Sequence, residues 1–148
     1  MIEVRKVDHI GVRVRDLDRA MAFYEALGFS LLGKATNDAV AVLKNEDDVE
    51  LNLVYNATTD NDGNNILMDV DEKYAGYTHV AFSVDSIEPV IRSLGENGIE
   101  ITQGPVSFGA DGHVSVFVRD PDRNVIEFRG RSEDVSSLEG VVVYHPEN

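Results

Sequence analysis

The sequence predicts an α+β chain built from two β-α-β-β-β modules, and three observations carry that prediction. A strand-like run opening on histidine occurs twice, as His9-Ile10-Gly11-Val12-Arg13-Val14 and as His79-Val80-Ala81-Phe82-Ser83-Val84. Each run leads into a helical pattern that closes on a glycine and an apolar residue, Gly28-Phe29 and Gly98-Ile99. The histidine stands nineteen residues before that glycine in both copies. A supersecondary unit repeated in this way buries its apolar face against its twin.

The elements follow in order. Residues 3–14 read as a strand with Val7, His9, Gly11 and Arg13 on one face and Ile10, Val12 and Val14 on the other. Asp16 is placed to cap a helix in which Leu17, Ala20, Met21, Tyr24 and Leu27 fall at helical spacing, and Gly28 stops it. Three short strands are expected at 30–34, 39–44 and 49–55, then a polar loop over 56–65. The second copy reads as a strand over 77–84 and a helix over about 87–96, with Ser86 as cap and Pro89 tolerated in the first turn. A short strand near 100–102, a glycine loop over 104–112 and strands at 114–118 and 125–128 complete it, the last two joined by a turn at 120–124 in which Asn124 is expected to take the left-handed conformation. Residues 141–144 could add an edge strand or dock on a partner chain. The chain thus reads as one domain over 1–148: module one about 5–56, a linker about 57–74, module two about 75–131 and a tail over 132–148.

A length of 148 residues supports a real core without staples. The formal net charge of −14 argues against nucleic acid or an anionic membrane as partner, because both need clustered Lys and Arg. With no cysteine, thiolate and disulfide chemistry are excluded. No leader-like stretch and no apolar run of about 18 residues is found, so a cytoplasmic protein is expected.

His9 and His79 occupy matching places. Glu127, between Ile126 and Phe128, presents its carboxylate to the face opposite its apolar neighbours. A metal ion would offset the cost of burying it. On the matching strand, Glu50 and Asn52 share a face. One strand histidine alone is more often a core or surface residue than a ligand. Two at symmetric places make metal the better reading, and two His with one or two carboxylates suit nickel, zinc, cobalt, manganese or iron. On the strand beginning at His113, the residues His113, Ser115 and Phe117 look toward the same cavity. His113 is a candidate acid or base there, and a loop-edge histidine in solvent is its plain alternative.

Asp8-His9-Ile10, Asp16-Leu17-Asp18-Arg19-Ala20, Leu27-Gly28-Phe29, Thr78-His79-Val80 and the run from Phe117 to Glu127 resemble the vicinal oxygen chelate superfamily, also called the glyoxalase, bleomycin-resistance and dioxygenase superfamily. The resemblance covers residues 5–131. It implies paired βαβββ modules forming a curled mixed sheet around a metal-binding cavity, with a homodimer expected by analogy. It also implies His9, His79 and Glu127 as metal ligands. The fourth ligand position falls on Asn52, with Glu50 one pleat away as the other candidate. Arg13 and Asn56 match glutathione-contacting residues of glyoxalase I. The basic residues which that family carries before the second histidine and in the glycine loop are missing here.

The resemblance implies first a glyoxalase I-like lyase or isomerase, acting on a small molecule with vicinal oxygens through a metal-stabilised enediolate. Glu127 or Glu50 would be its base, and Arg13, Asn56, Ser115 and Phe117 its substrate contacts. An extradiol ring-cleaving dioxygenase with a two-His, one-carboxylate iron site and His113 as acid–base partner is the second reading. A non-catalytic drug- or metabolite-binding resistance protein is the third.

Overall fold

Each copy's apolar alternation builds its own sheet in the computed structural model, which describes residues 1–109, 111–131, 140, 142 and 143. Module one comprises β1 (Ile10–Arg13), α1 (Leu17–Ala26), β2 (Ser30–Lys34), β3 (Val40–Lys44) and β4 (Glu50–Val54). Module two comprises β5 (Val80–Ser86), α2 (Ile87–Glu96), β6 (Ile101–Ser107), β7 (His113–Arg119) and β8 (Val125–Arg131). The strand orders are β1-β4-β3-β2 and β5-β8-β7-β6, the latter extended at its edge by β9 (Val142–Val143), which runs parallel to β6. In each sheet the first strand pairs in parallel with the last long one, and the inner pair is antiparallel. The fold is therefore α+β as expected, two βαβββ modules that each form a mixed, open sheet.

Local chemistry explains the helices. Asp16 Oδ1 accepts from the Arg19 backbone N–H at 2.8 Å, satisfying one of the donors a helix start leaves free. Gly28 closes α1 at φ +92, a conformation costly for other residues. Ser86 is the N-cap of α2 as expected and also the last residue of β5, but its side chain makes no cap hydrogen bond.

The apolar faces of the two modules join. Val14, Ala20, Tyr24, Phe29, Leu51 and Leu53 share one buried cluster with Ile87, Val114, Val116, Ile126 and Phe128. A run of rings crosses the joint: Tyr24 to Phe29 at 6.3 Å, Phe29 to Phe82 at 5.7 Å and Phe82 to Phe128 at 6.2 Å. Such aromatic contacts contribute about 0.5–1.5 kcal/mol each beyond their buried area. The Tyr24 hydroxyl, on α1, donates to the buried Asp120 carboxylate at 2.9 Å, and Asn124 Nδ2 donates to the Arg13 carbonyl at 3.2 Å. Because the core faces make this joint, the opposite faces, which carry Asn52 and Glu127, lie outside it.

Three expectations change. The strand read over 3–14 shrinks to Ile10–Arg13, because residues 1–9 find no neighbouring strand to complete a ladder; Met1, Ile2, Val4 and Val7 stand exposed. The strand expected near 100–102 extends to Ser107 and absorbs much of the glycine loop. At Gly104 (φ +99) a Cβ would lie 2.5 Å from the Ser115 carbonyl oxygen, so glycine is what lets β6 pass β7 there. In the 120–124 turn it is Arg123 (φ 67), not Asn124, that takes the left-handed conformation. Asp120 Oδ1 accepts from the Asn124 backbone N–H at 2.8 Å and holds that residue at the mouth of β8. Residues 141 and 144 of the expected tail strand, and His145, lie outside the described residues.

Candidate active site

Glu127 is the centre of the best-built polar group in the molecule. Its register partners are Ala81 on β5 and Phe117 on β7, which puts it on the face opposite the buried Ile126 and Phe128. Glu127 is nonetheless only 6% exposed. A carboxylate so placed needs partners, or its desolvation would cost several kcal/mol, on the order of 3–5. It has two: Ser115 Oγ donates to Oε1 at 2.5 Å, and His79 Nε2 lies 3.0 Å from Oε2. Phe117 stands edge-on to the His79 ring at 5.8 Å, and Phe108 edge-on to Phe117 at 6.2 Å, so aromatic surface walls the pair. Ser115 is fully buried, and its hydroxyl is positioned rather than free to rotate into water.

The residue before each histidine holds its ring. Thr78 Oγ1 lies 2.9 Å from His79 Nδ1, and Asp8 Oδ1 lies 2.8 Å from His9 Nδ1. Engaging Nδ1 fixes the ring and leaves Nε2 to face a ligand, the usual outer support of a metal-binding histidine. The His9 ring in turn holds the Asp8 carboxyl below its ordinary range, chiefly through that hydrogen bond. This support recurs in both copies at the same offset, and the Asp-His and Thr-His dipeptides were its signal in the sequence.

Module one carries the same frame with different chemistry. Gly11 and Val42 flank Asn52 in register as Ala81 and Phe117 flank Glu127. Asn52 therefore stands where Glu127 stands, and Glu50 lies one pleat away on the same face, opposite Lys44. Ser115 is matched by Val40, which offers no donor or acceptor, and Asn52 Oδ1 is buried with no hydrogen-bond partner. Arg13 and Asn56, two expected substrate contacts, are brought together: Arg13 Nε donates to Asn56 Oδ1 at 3.1 Å.

His113 begins β7, four residues from Phe117, so the strand separates it from the Glu127 register by roughly 13 Å. Its backbone N–H donates to Asp111 Oδ1 at 3.0 Å, and its Nδ1 lies 3.2 Å from Asp111 Oδ2 without hydrogen-bond geometry. In the sequence Asp8 and Thr78 stand out only as motif neighbours of the two histidines, and Phe108 and Arg129 carry no motif signal.

The donor set fits a divalent cation. His79 Nε2 and Glu127 Oε2 present adjacent lone pairs that need a proton or a cation between them, and Asn52 Oδ1 is a buried acceptor still unsatisfied. Within one chain, however, no three His, Asp or Glu side chains converge among the described residues. His79 and Glu127 stand together on module two, while His9, Asn52 and Glu50 belong to module one.

Two βαβββ modules with this duplicated frame define the class: the chain belongs to the Glyoxalase/Bleomycin resistance protein/Dioxygenase superfamily, whose profile matches residues 6–128. It is 35% identical over 140 residues to a lactoylglutathione lyase of Haemophilus influenzae, covering 88% of this chain and 96% of that one. It is 32% identical over 146 residues to a probable lactoylglutathione lyase of Vibrio cholerae, covering 91% and 97%. In three dimensions it resembles the crystal structure of a glyoxalase/dioxygenase from Nostoc punctiforme, with TM-score 0.65 and 27% identity over 87% of this chain and 92% of that one. No described helix is long and apolar enough to cross a membrane.

Proposed function

We propose that the chain is a divalent-metal-dependent lyase or isomerase of glyoxalase I type, acting on a small molecule with vicinal oxygens. The observation that carries this reading is the buried Glu127 carboxylate, gripped by Ser115 and facing His79 at 3.0 Å. His9, His79 and Glu127 would hold the metal, with Asn52 or Glu50 beside them. A divalent cation held there would supply Lewis-acid stabilisation of negative charge on substrate oxygen. Glu127 then takes the proton from one carbon at its carboxylate oxygen and returns it to the neighbouring carbon. Ser115 keeps Oε1 aimed while Oε2 moves the proton, and Phe108 and Phe117 keep water from the reacting carbons. Arg13, steadied by Asn56, orients a substrate carboxylate. The relatives named as lactoylglutathione lyases support this chemistry over the alternatives.

The two half-sites meet in a homodimer, module one of each protomer facing module two of the other. Supporting this are the apolar joint that turns the two ligand faces apart within one chain, the free edges of β1 and β5, and the exposed apolar residues of 1–9. Mixing His9→Ala and His79→Ala protomers tests it. In a shared-site dimer, half the dimers are mixed and each regains one intact site, so about one quarter of wild-type activity and metal returns. A site built within one chain returns none.

One observation favours a second reading: Asn52 in place of a fourth carboxylate leaves two histidines and one carboxylate, the facial set of non-haem iron oxygenases. Elemental analysis decides between them. Nickel, zinc, cobalt or manganese, lost in His79→Ala, accompanies turnover of hemithioacetals; iron with oxygen uptake on catechols would replace the lyase by a dioxygenase. Absence of metal after reconstitution would leave a binding protein.

A further inference from the structure

Arg129 stands on the face that carries Glu127, one pleat further along β8, between Ser83 of β5 and Ser115 of β7. Its guanidinium is about one-third exposed, and Nη2 donates to Asp111 Oδ2 at 2.6 Å; the Asp111 side chain is half exposed. The pseudo-symmetry gives this placement meaning. Arg13, four residues after His9, is matched in module two by Ser83, four residues after His79. Ser83 carries no charge, but its register neighbour is Arg129. Each module thus places one guanidinium in the same layer of its ligand face, on the first strand in module one and on the adjacent strand in module two.

From this geometry we infer that Arg129 is an anchor for a carboxylate-bearing substrate, and that Asp111 occupies the anchor when no substrate is bound. This rests on the ligand-face reading above, though not on the identity of the metal. In a chain of net charge −14 an anion is held only where a fixed cation meets it, and a guanidinium forks onto carboxylate oxygens. Asp111 supplies one such carboxylate from the loop before β7, kept ionised by the His113 backbone N–H and by Arg129. A half-exposed ion pair contributes little to stability, so an incoming carboxylate can replace it. Phe117, in the register next to Ser115, adds apolar surface for the body of the ligand. The anchor therefore selects organic carboxylates with an apolar portion, and it supplies from β8 the cation that the glycine loop lacks.

The probe is 3-phenylpropanoate, with 3-phenylpropanamide as its neutral twin, titrated by calorimetry and by the Arg Nε–H resonances of the full, chelator-treated chain. The carboxylate is expected to move the Arg129 resonance and to bind wild type at least tenfold more tightly than Arg129→Gln. Asp111→Asn should bind it several-fold more tightly than wild type, since the competing carboxylate is gone, and the amide should not distinguish the three proteins. Equal affinity of wild type and Arg129→Gln, or no carboxylate binding even by Asp111→Asn, would overturn the assignment. Because these titrations contain no metal, a failed metal reading leaves them interpretable, and metal uptake by Arg129→Gln is measured separately.

Discussion

The two modules share a frame and differ in how far each site is finished. In module two the acid is buried, bonded to Ser115 and already facing His79. In module one the matching residue is Asn52, its oxygen unpartnered, and His9 is exposed with only Asp8 to hold it. Even the hairpin turns agree. Asn45 Oδ1 accepts from the Asp47 and Val49 backbones as Asp120 Oδ1 accepts from those of Asp122 and Asn124. Asp48 (φ 61) and Arg123 (φ 67) take the same left-handed place. Backbone geometry is therefore duplicated while side-chain chemistry has diverged: module two holds a preorganised Ser115-Glu127-His79 group and module one does not.

Substitution at the two matched positions breaks the comparison most sharply. Glu127→Gln should lower turnover by about 10²–10⁴-fold and abolish metal retention, read by elemental analysis and hemithioacetal assay, whereas Asn52→Ala should leave both within about tenfold. Equal losses would make the modules equivalent and the asymmetry irrelevant. Next come the residues that hold the rings. Thr78→Val and Asp8→Ala should each weaken metal binding by up to about 10–100-fold, less where water takes over the exposed Nδ1 contact. Competition with a chromogenic chelator measures both.

The linker sharpens the contrast at a smaller scale. Asp69 accepts from Arg119 Nη2 at 2.9 Å and from Arg123 Nε at 3.0 Å. The Arg123 hydrogen bond, helped by the Asn65 backbone N–H and by Arg119, holds the Asp69 carboxyl at about 2, below its ordinary 3.8. A lowered native value means that stability is present above pH 4 and is lost as pH falls toward 2. Asp69→Asn should cost about 1–2 kcal/mol at neutral pH, discounted for the exposure of Arg123, and should flatten the acid limb of a denaturation series. The smallest effect separates the twin turns. Asp48→Gly should stabilise by a few tenths to about 1 kcal/mol, since it relaxes a left-handed residue whose side chain makes an exposed ion pair with Lys44. Arg123→Gly should give no such gain, because it also removes the pair with Asp69; thermal melts with and without Asp69→Asn check this.

Much of the frame was legible because it depends on local rules. Alternation at 40–44 and 50–54, the Asp16 cap and the Gly28 stop each act within a few residues. So did the candidate site where a repeat exposed it, with His9 matched to His79, and parity alone turned Glu127 away from Ile126 and Phe128. Less legible were features whose cause lies across the sheet. Nothing near Arg123 announces that Asp69, 54 residues away, will pair with it in a left-handed turn. Nor does the sequence around Arg129 reveal that it neighbours Ser83, or that Ser115 grips Glu127.

By itself the sequence determined the two modules, the order of their elements and the residue types able to hold a metal, because hydrophobic period, caps and turns are properties of neighbouring residues. Only the tertiary structure decided which acid is buried with partners, which amide oxygen is left without one, and that the apolar faces of the two modules meet in one core. Those outcomes depend on register between strands, and register is set by the packing of the whole core.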